Sequence, residues 1–271
     1  MPSANDLLHL ATTAARRAGG YLRTVERPRD PAGWTSKGRA DWATDVDRTA
    51  EAMIAEILLH ETPGSHIVGE ELSPEVVTDG LVWVVDPLDG TTNFLHGYPA
   101  FAVSIAAAVD GVLEAAAVLH VPLDRLTTAV RGSGTWEDGV RITVSSITDP
   151  AHSLVGTGLP YRDFGRIDEY LAQLGRVIQG ATGVRRPGSA AIDLADVAAG
   201  RFDGFWEQRL SAWDIAAGTL LVREAGGRVT DYGGRDLGVE HAAVVAGNPA
   251  IHEWLLEVLC SGSELRVPYS E

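Results

Sequence analysis

Apolar residues recur at helical spacing from Asn5 to about Val25, with Leu7, Leu10, Ala14, Ala18 and Leu22 on one face, so the chain opens on a packing helix. The segment from Pro28 to Gly33 breaks it, and Trp34 to Ala40 reads as a loop or hairpin tip. Asp41 to Asp47 opens a second helix that runs to about Glu61, with Ala50, Ile54, Ile57 and Leu58 inward. His66-Ile67-Val68 is a short strand, and Leu81 to Val85 is an unbroken apolar run that predicts a buried one. Phe101 to Val109, Val112 to His120 and Leu126 to Val130 are β-rich and separated by turn signals such as Asp110-Gly111, which predicts an antiparallel meander. Ser133 to Ser145, carrying Asp138-Gly139, adds a hairpin.

The pattern changes near Asp149-Pro150. Ser153 to Gly158 predicts a strand, Arg166 to Gln179 and Ser189 to Ala199 predict helices, and Phe202 to Glu207 predicts a strand that ends in an acid. Asp214 caps a small-residue helix continuing to Ala225, Arg228 to Thr230 and Ala242 to Ala246 are strands, and Pro249 to Cys260 is a closing helix. Strands and helices alternate in blocks without a fixed repeat, so the chain is α/β or α+β with helices layered against sheets. Residues 1–149 read as an N-terminal α+β half and 150–271 as a C-terminal α/β half of one compact unit.

Composition narrows the function. With 271 residues, 45% of them hydrophobic and 22% charged, the chain is expected to be an ordinary soluble globular protein with a large core. A net charge of −15 argues against a nucleic-acid or membrane partner recruited by charge. The same charge repels anionic substrates, so a phosphorylated one would need a cation at the site. A single cysteine, Cys260, excludes an intramolecular disulfide and a cysteine-rich metal cluster. Asp6 precedes the first apolar positions and Arg16-Arg17 follow them, the reverse of a signal peptide's order, and no stretch reaches the ~20 apolar residues needed to span a membrane. A cytoplasmic location is expected.

Candidate chemistry centres on Asp86-Pro87-Leu88-Asp89-Gly90-Thr91-Thr92-Asn93-Phe94. Two carboxylates follow a buried strand, and Pro87 between them cannot extend a central ladder, so the strand is expected to stop at a rigid turn. An acid directly after an apolar strand is poorly solvated, and a second one nearby raises the cost unless a cation neutralises both. Gly90-Thr91-Thr92 offers free amides at what reads as a helix start, suited to an anion. Glu70 and Glu71 close the His66 strand; adjacent residues there point to opposite sides, so one can face a site and the other its support, while taken alone the two read as a solvated loop pair. The helix dipole alone accounts for acids such as Asp45 and Asp47 at a helix opening. His96 and His120 beside apolar segments read as packing residues. Glu70, Asp86, Asp89 and Asp214, with Asp47 as an outer member, all fall at strand ends or helix starts, where side chains can share a crevice. Their convergence implies a divalent cation, and an oxygen-only set favours Mg²⁺.

These residues carry a resemblance. The Asp86 to Phe94 stretch resembles the first signature of the inositol monophosphatase family, and Trp213-Asp214-Ile215-Ala216-Ala217-Gly218 through Glu224-Ala225-Gly226-Gly227 is similar to the second. Gly69-Glu70-Glu71, Asp41 to Asp47, Gly188-Ser189-Ala190-Ala191 and Phe205-Trp206-Glu207 resemble its remaining landmarks in order. The resemblance implies an α/β layered sandwich (α/β/α/β/α, the sugar phosphatase fold), dimeric, that hydrolyses a phosphate monoester with two or three Mg²⁺ ions per site and is inhibited by Li⁺. It implies Glu70, Asp86, the Leu88 carbonyl, Asp89 and Asp214 as metal ligands. Glu70 and Thr91 would position the attacking water, with Asp47 orienting Thr91. Gly90 and Thr91 would hold phosphate, and Gly188, Ser189, Ala190 and Glu207, together with Asp89 and Asp214, would face the substrate.

Thr92, where relatives acting on histidinol phosphate or 3′-phosphonucleotides often carry Lys, points to the inositol branch, with myo-inositol 1-phosphate as the expected substrate. Histidinol phosphate, fructose 1,6-bisphosphate and a specialised cyclitol or aminosugar phosphate remain alternatives, as does a regulatory protein that binds the transcription machinery. The loop Ser36-Lys37-Gly38-Arg39 is expected to cover the metals, and Leu159-Pro160-Tyr161-Arg162 to contact either substrate or a second subunit.

Overall fold

The computed structural model describes residues 2–28, 30–38, 41–161 and 164–261, without the side chains of residues 33, 41 and 42. In chain order the elements are α1 (Ala4–Thr24), β1 (Thr35–Gly38), β2 (Asp41–Ala43), α2 (Asp45–Glu61), β3 (His66–Gly69), β4 (Leu81–Asp89), α3 (Thr91–His96), β5 (Ala102–Val109), β6 (Val112–His120), β7 (Arg125–Val130), β8 (Gly134–Glu137) and β9 (Val140–Ile142). There follow β10 (Leu154–Thr157), α4 (Ile167–Gly180), β11 (Gly183–Arg185), α5 (Ala190–Ala198), β12 (Gly204–Leu210), α6 (Ala212–Glu224), β13 (Arg228–Thr230), β14 (Ala242–Gly247) and α7 (Pro249–Cys260).

A seven-stranded sheet runs β3 to β9 in sequence order, with β3 parallel to β4 and every other pair antiparallel. A five-stranded sheet has the order β11-β10-β12-β14-β13. Side-chain alternation divides the first sheet between two cores. Trp83 and Val85 of β4, with Val103, Ile105 and Ala107 of β5, join Leu7, Ala14, Ala18, Ile54 and Leu58 of α1 and α2. Val82 and Val84 face the other way, into a core with Leu194, Val197, Ile215, Ala216 and Leu220 of α5 and α6. On the outer face of the second sheet, Val155, Trp206 and Val245 pack on Val177 of α4 and Ile251 and Leu255 of α7. The layers are therefore α1/α2, seven-stranded sheet, α5/α6, five-stranded sheet, α4/α7: an α/β sandwich in five layers. Helix α6 lies between two sheets and is buried nearly all round, which suits its small residues Ala216, Ala217 and Gly218.

Three local expectations need correction. Strand β4 does not stop before Pro87 but runs to Asp89, because a bulge shifts its register on β5 between Asp86↔Ser104 and Asp89↔Ala102. Pairing with β3 ends at Val85, so the missing Pro87 amide deprives no neighbour on that side. Strand β12 continues past Glu207 to Leu210, again through a register shift, with Arg209 in the left-handed region at φ +58°. Ser211, not Asp214, is the N-cap of α6; Asp214 is the third helical residue and its Oδ2 accepts from the Ser211 amide at 2.7 Å.

Candidate active site

The bulge in β4 gives the site its base. Asp86 is 1% exposed, its Oδ1 accepting from the Leu88 amide at 2.9 Å. Asp89 is 9% exposed; its Oδ2 accepts from the Ser189 hydroxyl at 2.5 Å and the Ala191 amide at 2.7 Å, which ties the start of α5 to the end of β4. The start of α6 brings in Asp214, and one oxygen from each of Asp86, Asp89 and Asp214 lies within 4.8 Å of the others. It is the one such group of acids, histidines or cysteine found among the described residues.

Burial and mutual repulsion govern the electrostatics of the cluster. Burial, then the neighbouring Glu70, Asp89 and Asp214 carboxylates, push Asp86 well above the usual carboxylate range. Burial likewise pushes Asp89 up to about 6, against the lowering effect of the Ser189 hydroxyl and the Ala191 amide. Buried carboxylates gathered this closely suit a hard divalent cation that takes oxygen ligands.

Gly90 turns the chain from β4 into α3 at φ +97°, and a Cβ there would lie 2.9 Å from the Ala100 carbonyl oxygen. Only glycine combines that backbone with that approach. Thr91 follows as the first helical residue, and its hydroxyl is 3.0 Å from Asp47 Oδ1 and 3.1 Å from the Leu88 carbonyl oxygen. Asp47 Oδ2 also accepts from the Thr44 amide at 2.8 Å and the Thr44 hydroxyl at 2.6 Å, closing the capping box of α2. Helix-dipole placement is thus sufficient for exposed Asp45 and incomplete for buried Asp47, whose second oxygen is committed to Thr91.

Glu70, Asp86, Leu88, Asp89, Gly90, Thr91, Gly188, Ser189, Ala190, Glu207 and Asp214 line one cavity of about 760 Å³. Asp47 stands behind Thr91 rather than on its wall. Glu70 lines the cavity and Glu71 does not, although strand alternation is not the reason. β3 ends at Gly69, the two acids belong to the turn beyond it, and both reach the Lys37 ammonium, Glu70 at 3.0 Å. Lys37 comes from the β1–β2 hairpin, in keeping with the loop or hairpin tip expected there; Arg39 and Ala40 lie outside the described residues. Leu159, Pro160 and Tyr161 line the cavity, and Arg162 is outside the described residues. His96 packs edge-on against Trp34, and His120 Nδ1 accepts from the Leu123 amide, so both serve local structure.

The fold adds residues that sequence reading left aside. Asp193 lines the cavity wall at 1% exposure with Oδ1 unpartnered, and burial followed by the Glu207 and Asp89 charges raises it well above the carboxylate range. Its place one turn into the helix that Ser189 begins was the available signal. Asn93 Nδ2 donates to the Ala100 carbonyl at 2.7 Å and the Pro187 carbonyl at 2.9 Å, holding the Gly188 loop against α3. Arg186 rests over the Tyr161 ring at the rim, 5.4 Å from its centroid, and nothing in its local sequence marks that contact.

Comparison with known proteins agrees with this architecture. The profile described as "Inositol monophosphatase family" matches residues 4–264. An inositol-1-monophosphatase of Rhizobium meliloti is 46% identical over 224 residues, 82% of this chain and 84% of that protein. The Nus factor SuhB of Pseudomonas aeruginosa is 43% identical over 259 residues, covering 93% and 95% respectively. The crystal structure of extragenic suppressor protein suhB from Bartonella henselae superposes with a TM-score of 0.87 at 40% identity, over 95% of this chain and all of that one. Five-layer architecture, an acidic cluster on a β-bulge and a family profile spanning nearly the whole sequence converge on one conclusion: the chain belongs to the inositol monophosphatase family.

Proposed function

We propose that the protein hydrolyses a phosphate monoester with Mg²⁺, that myo-inositol 1-phosphate is its substrate, and that it works as a cytoplasmic homodimer. The observation that carries the reading is the convergence of Asp86, Asp89 and Asp214 within 4.8 Å at a cavity that also exposes the start of α3. Held by Glu70, Asp86, the Leu88 carbonyl, Asp89 and Asp214, two or three Mg²⁺ ions would polarise the phosphoryl group, acidify a water and stabilise the leaving alkoxide.

The chain's own residues supply position. Asp47 Oδ1 accepts a hydrogen bond from the Thr91 hydroxyl, which leaves a Thr91 lone pair to accept one from the attacking water, and Glu70 sets the other side of its approach. The amides of Gly90 and Thr91 precede the helix's own hydrogen bonds and donate to phosphate oxygens. Ser189, Ala190 and Glu207 face the alcohol, with the Glu207 carboxylate accepting from vicinal hydroxyls. Phosphate-monoester hydrolysis has one of the largest uncatalysed barriers, so positioning and charge stabilisation account for most of the rate.

Phosphate release from myo-inositol 1-phosphate, histidinol phosphate, fructose 1,6-bisphosphate and 3′-phosphoadenosine 5′-phosphate, each with Mg²⁺ and with EDTA, tests the reading. Mg²⁺-dependent preference for the inositol phosphate is expected; preference for another keeps the chemistry and changes the substrate. A second reading rests on relatives named Nus factor SuhB: a regulatory role in contact with the transcription machinery. Capture of RNA polymerase by a protein silent on all four substrates would favour it.

A further inference from the structure

We infer that Glu51 is a positioning residue for Glu70, and that one face of α2 sets the spacing between the two groups that orient the attacking water; this rests on the metal-dependent reading above. Glu51 is 1% exposed, and among the described residues both of its oxygens accept from backbone amides. Oε2 accepts from the Glu71 amide at 2.7 Å and Oε1 from the Leu72 amide at 3.0 Å. On the other side of Glu70 the chain passes so close that a Cβ on Gly69 would fall 2.5 Å from Glu51 Oε1. The backbone of Glu70 is therefore flanked by a hydrogen bond to this carboxylate on one side and by its close approach to Gly69 on the other.

The sheet cannot do this work. β3 ends at Gly69, whose amide turns back to the Ser73 carbonyl at 2.9 Å, so Glu70 is the first residue with no place in the ladder. α2 is a firm anchor: it is capped by Thr44 and Asp47, and Ala50, Ile54 and Leu58 bury its inner face against Trp83 and Val85 of β4. Asp47 and Glu51 are four residues apart and thus neighbours on one helix face. Asp47 holds the Thr91 hydroxyl; Glu51 holds the turn carrying Glu70. One helix face thus ties both groups to the same rigid element.

Mg²⁺ titration calorimetry on the whole protein, with Glu51→Gln, Glu70→Gln and the double variant, tests this. Glutamine keeps the size of Glu51 but sets an NH₂ against one of the two amides. Glu51→Gln should weaken Mg²⁺ binding about tenfold, in the range seen when groups supporting a metal ligand are lost. It should also lower kcat with KM little changed. In the Glu70→Gln background it should add nothing, because its effect passes through Glu70. Gly69→Ala, which pushes the turn off the carboxylate, should behave alike and carries the test if Glu51→Gln fails to fold. Mg²⁺ affinity within twofold of wild type in both Glu51→Gln and Gly69→Ala, or losses that add to that of Glu70→Gln, overturns the inference and leaves the metal reading standing. Unchanged affinity in Glu70→Gln alone overturns the metal role of Glu70 and this inference with it.

Discussion

Replacing Asp89 with asparagine should stabilise the metal-free protein while removing its response to Mg²⁺. Burial holds the Asp89 carboxyl at about 6 in the fold against an ordinary 3.8. The native protein keeps this proton until near pH 6, whereas the unfolded chain releases it near 3.8, so between those values the native state binds more protons. Stability therefore falls as pH rises through that window and levels off above it. The gap corresponds to about 3 kcal/mol once both states are ionised, near pH 8. Asparagine has the same size, carries no charge at any pH, and its oxygen can keep the bonds from Ser189 and Ala191. At roughly 2 °C per kcal/mol for a chain of this length, Asp89→Asn should melt about 6 °C above wild type near pH 8 in EDTA. Near pH 4.5 the advantage should shrink to about 2 °C, because there the unfolded carboxyl is itself partly protonated. Scanning calorimetry across that range, with EDTA and with excess Mg²⁺, is the assay. Mg²⁺ should reverse the order, since only wild type retains the full ligand set and gains from mass action. Equal melting temperatures in EDTA at every pH, or a lower one for the variant near pH 8, would refute the reasoning that burial of the Asp89 charge outweighs its hydrogen bonds.

The same Asp89→Asn protein should lose Mg²⁺-dependent turnover by orders of magnitude, and near-wild-type phosphate release would sink its assignment as a ligand. Glu207→Gln should change the choice among alcohols more than the rate on a simple aryl phosphate; equal loss on all substrates would make Glu207 structural. Asp47→Asn should cost about 1–2 kcal/mol in urea unfolding, through the α2 cap, and lower kcat through Thr91; loss of stability with unchanged kcat would separate the two roles. Buried His252, which desolvation and then Arg228 hold at about 4 instead of 6.5, should destabilise the native state as pH falls from 6.5 toward 4, because only the unfolded chain takes the proton there. His252→Leu should flatten that decline, read as the difference between urea midpoints near pH 7 and near pH 5.

Elements with strong periodicity were legible in the chain: α1 and α2 from their apolar stripes, and the meander β5 to β8 from alternation and Asp-Gly turns. The short β11 was not, since its residues carry little pattern and its place comes from pairing with β10. Most site acids were also visible, because a carboxylate after an apolar strand, as at Asp86, is costly in any fold. Roles that depend on two chain segments meeting were hidden. Asp193, Asn93 and Glu51 gain their roles only where burial beside Glu207, the Gly188 loop and the Glu70 turn meet them. What the sequence by itself determined is the local grammar: periodic elements, chain breaks, and the residues whose charge or φ would be untenable without a special setting. Tertiary structure alone decided that β4 carries on past Pro87 through a bulge, that α6 is wedged between two sheets, and that one helix face serves both Thr91 and Glu70. Those outcomes rest on contacts between residues far apart in the chain, whose energies do not exist until the layers pack.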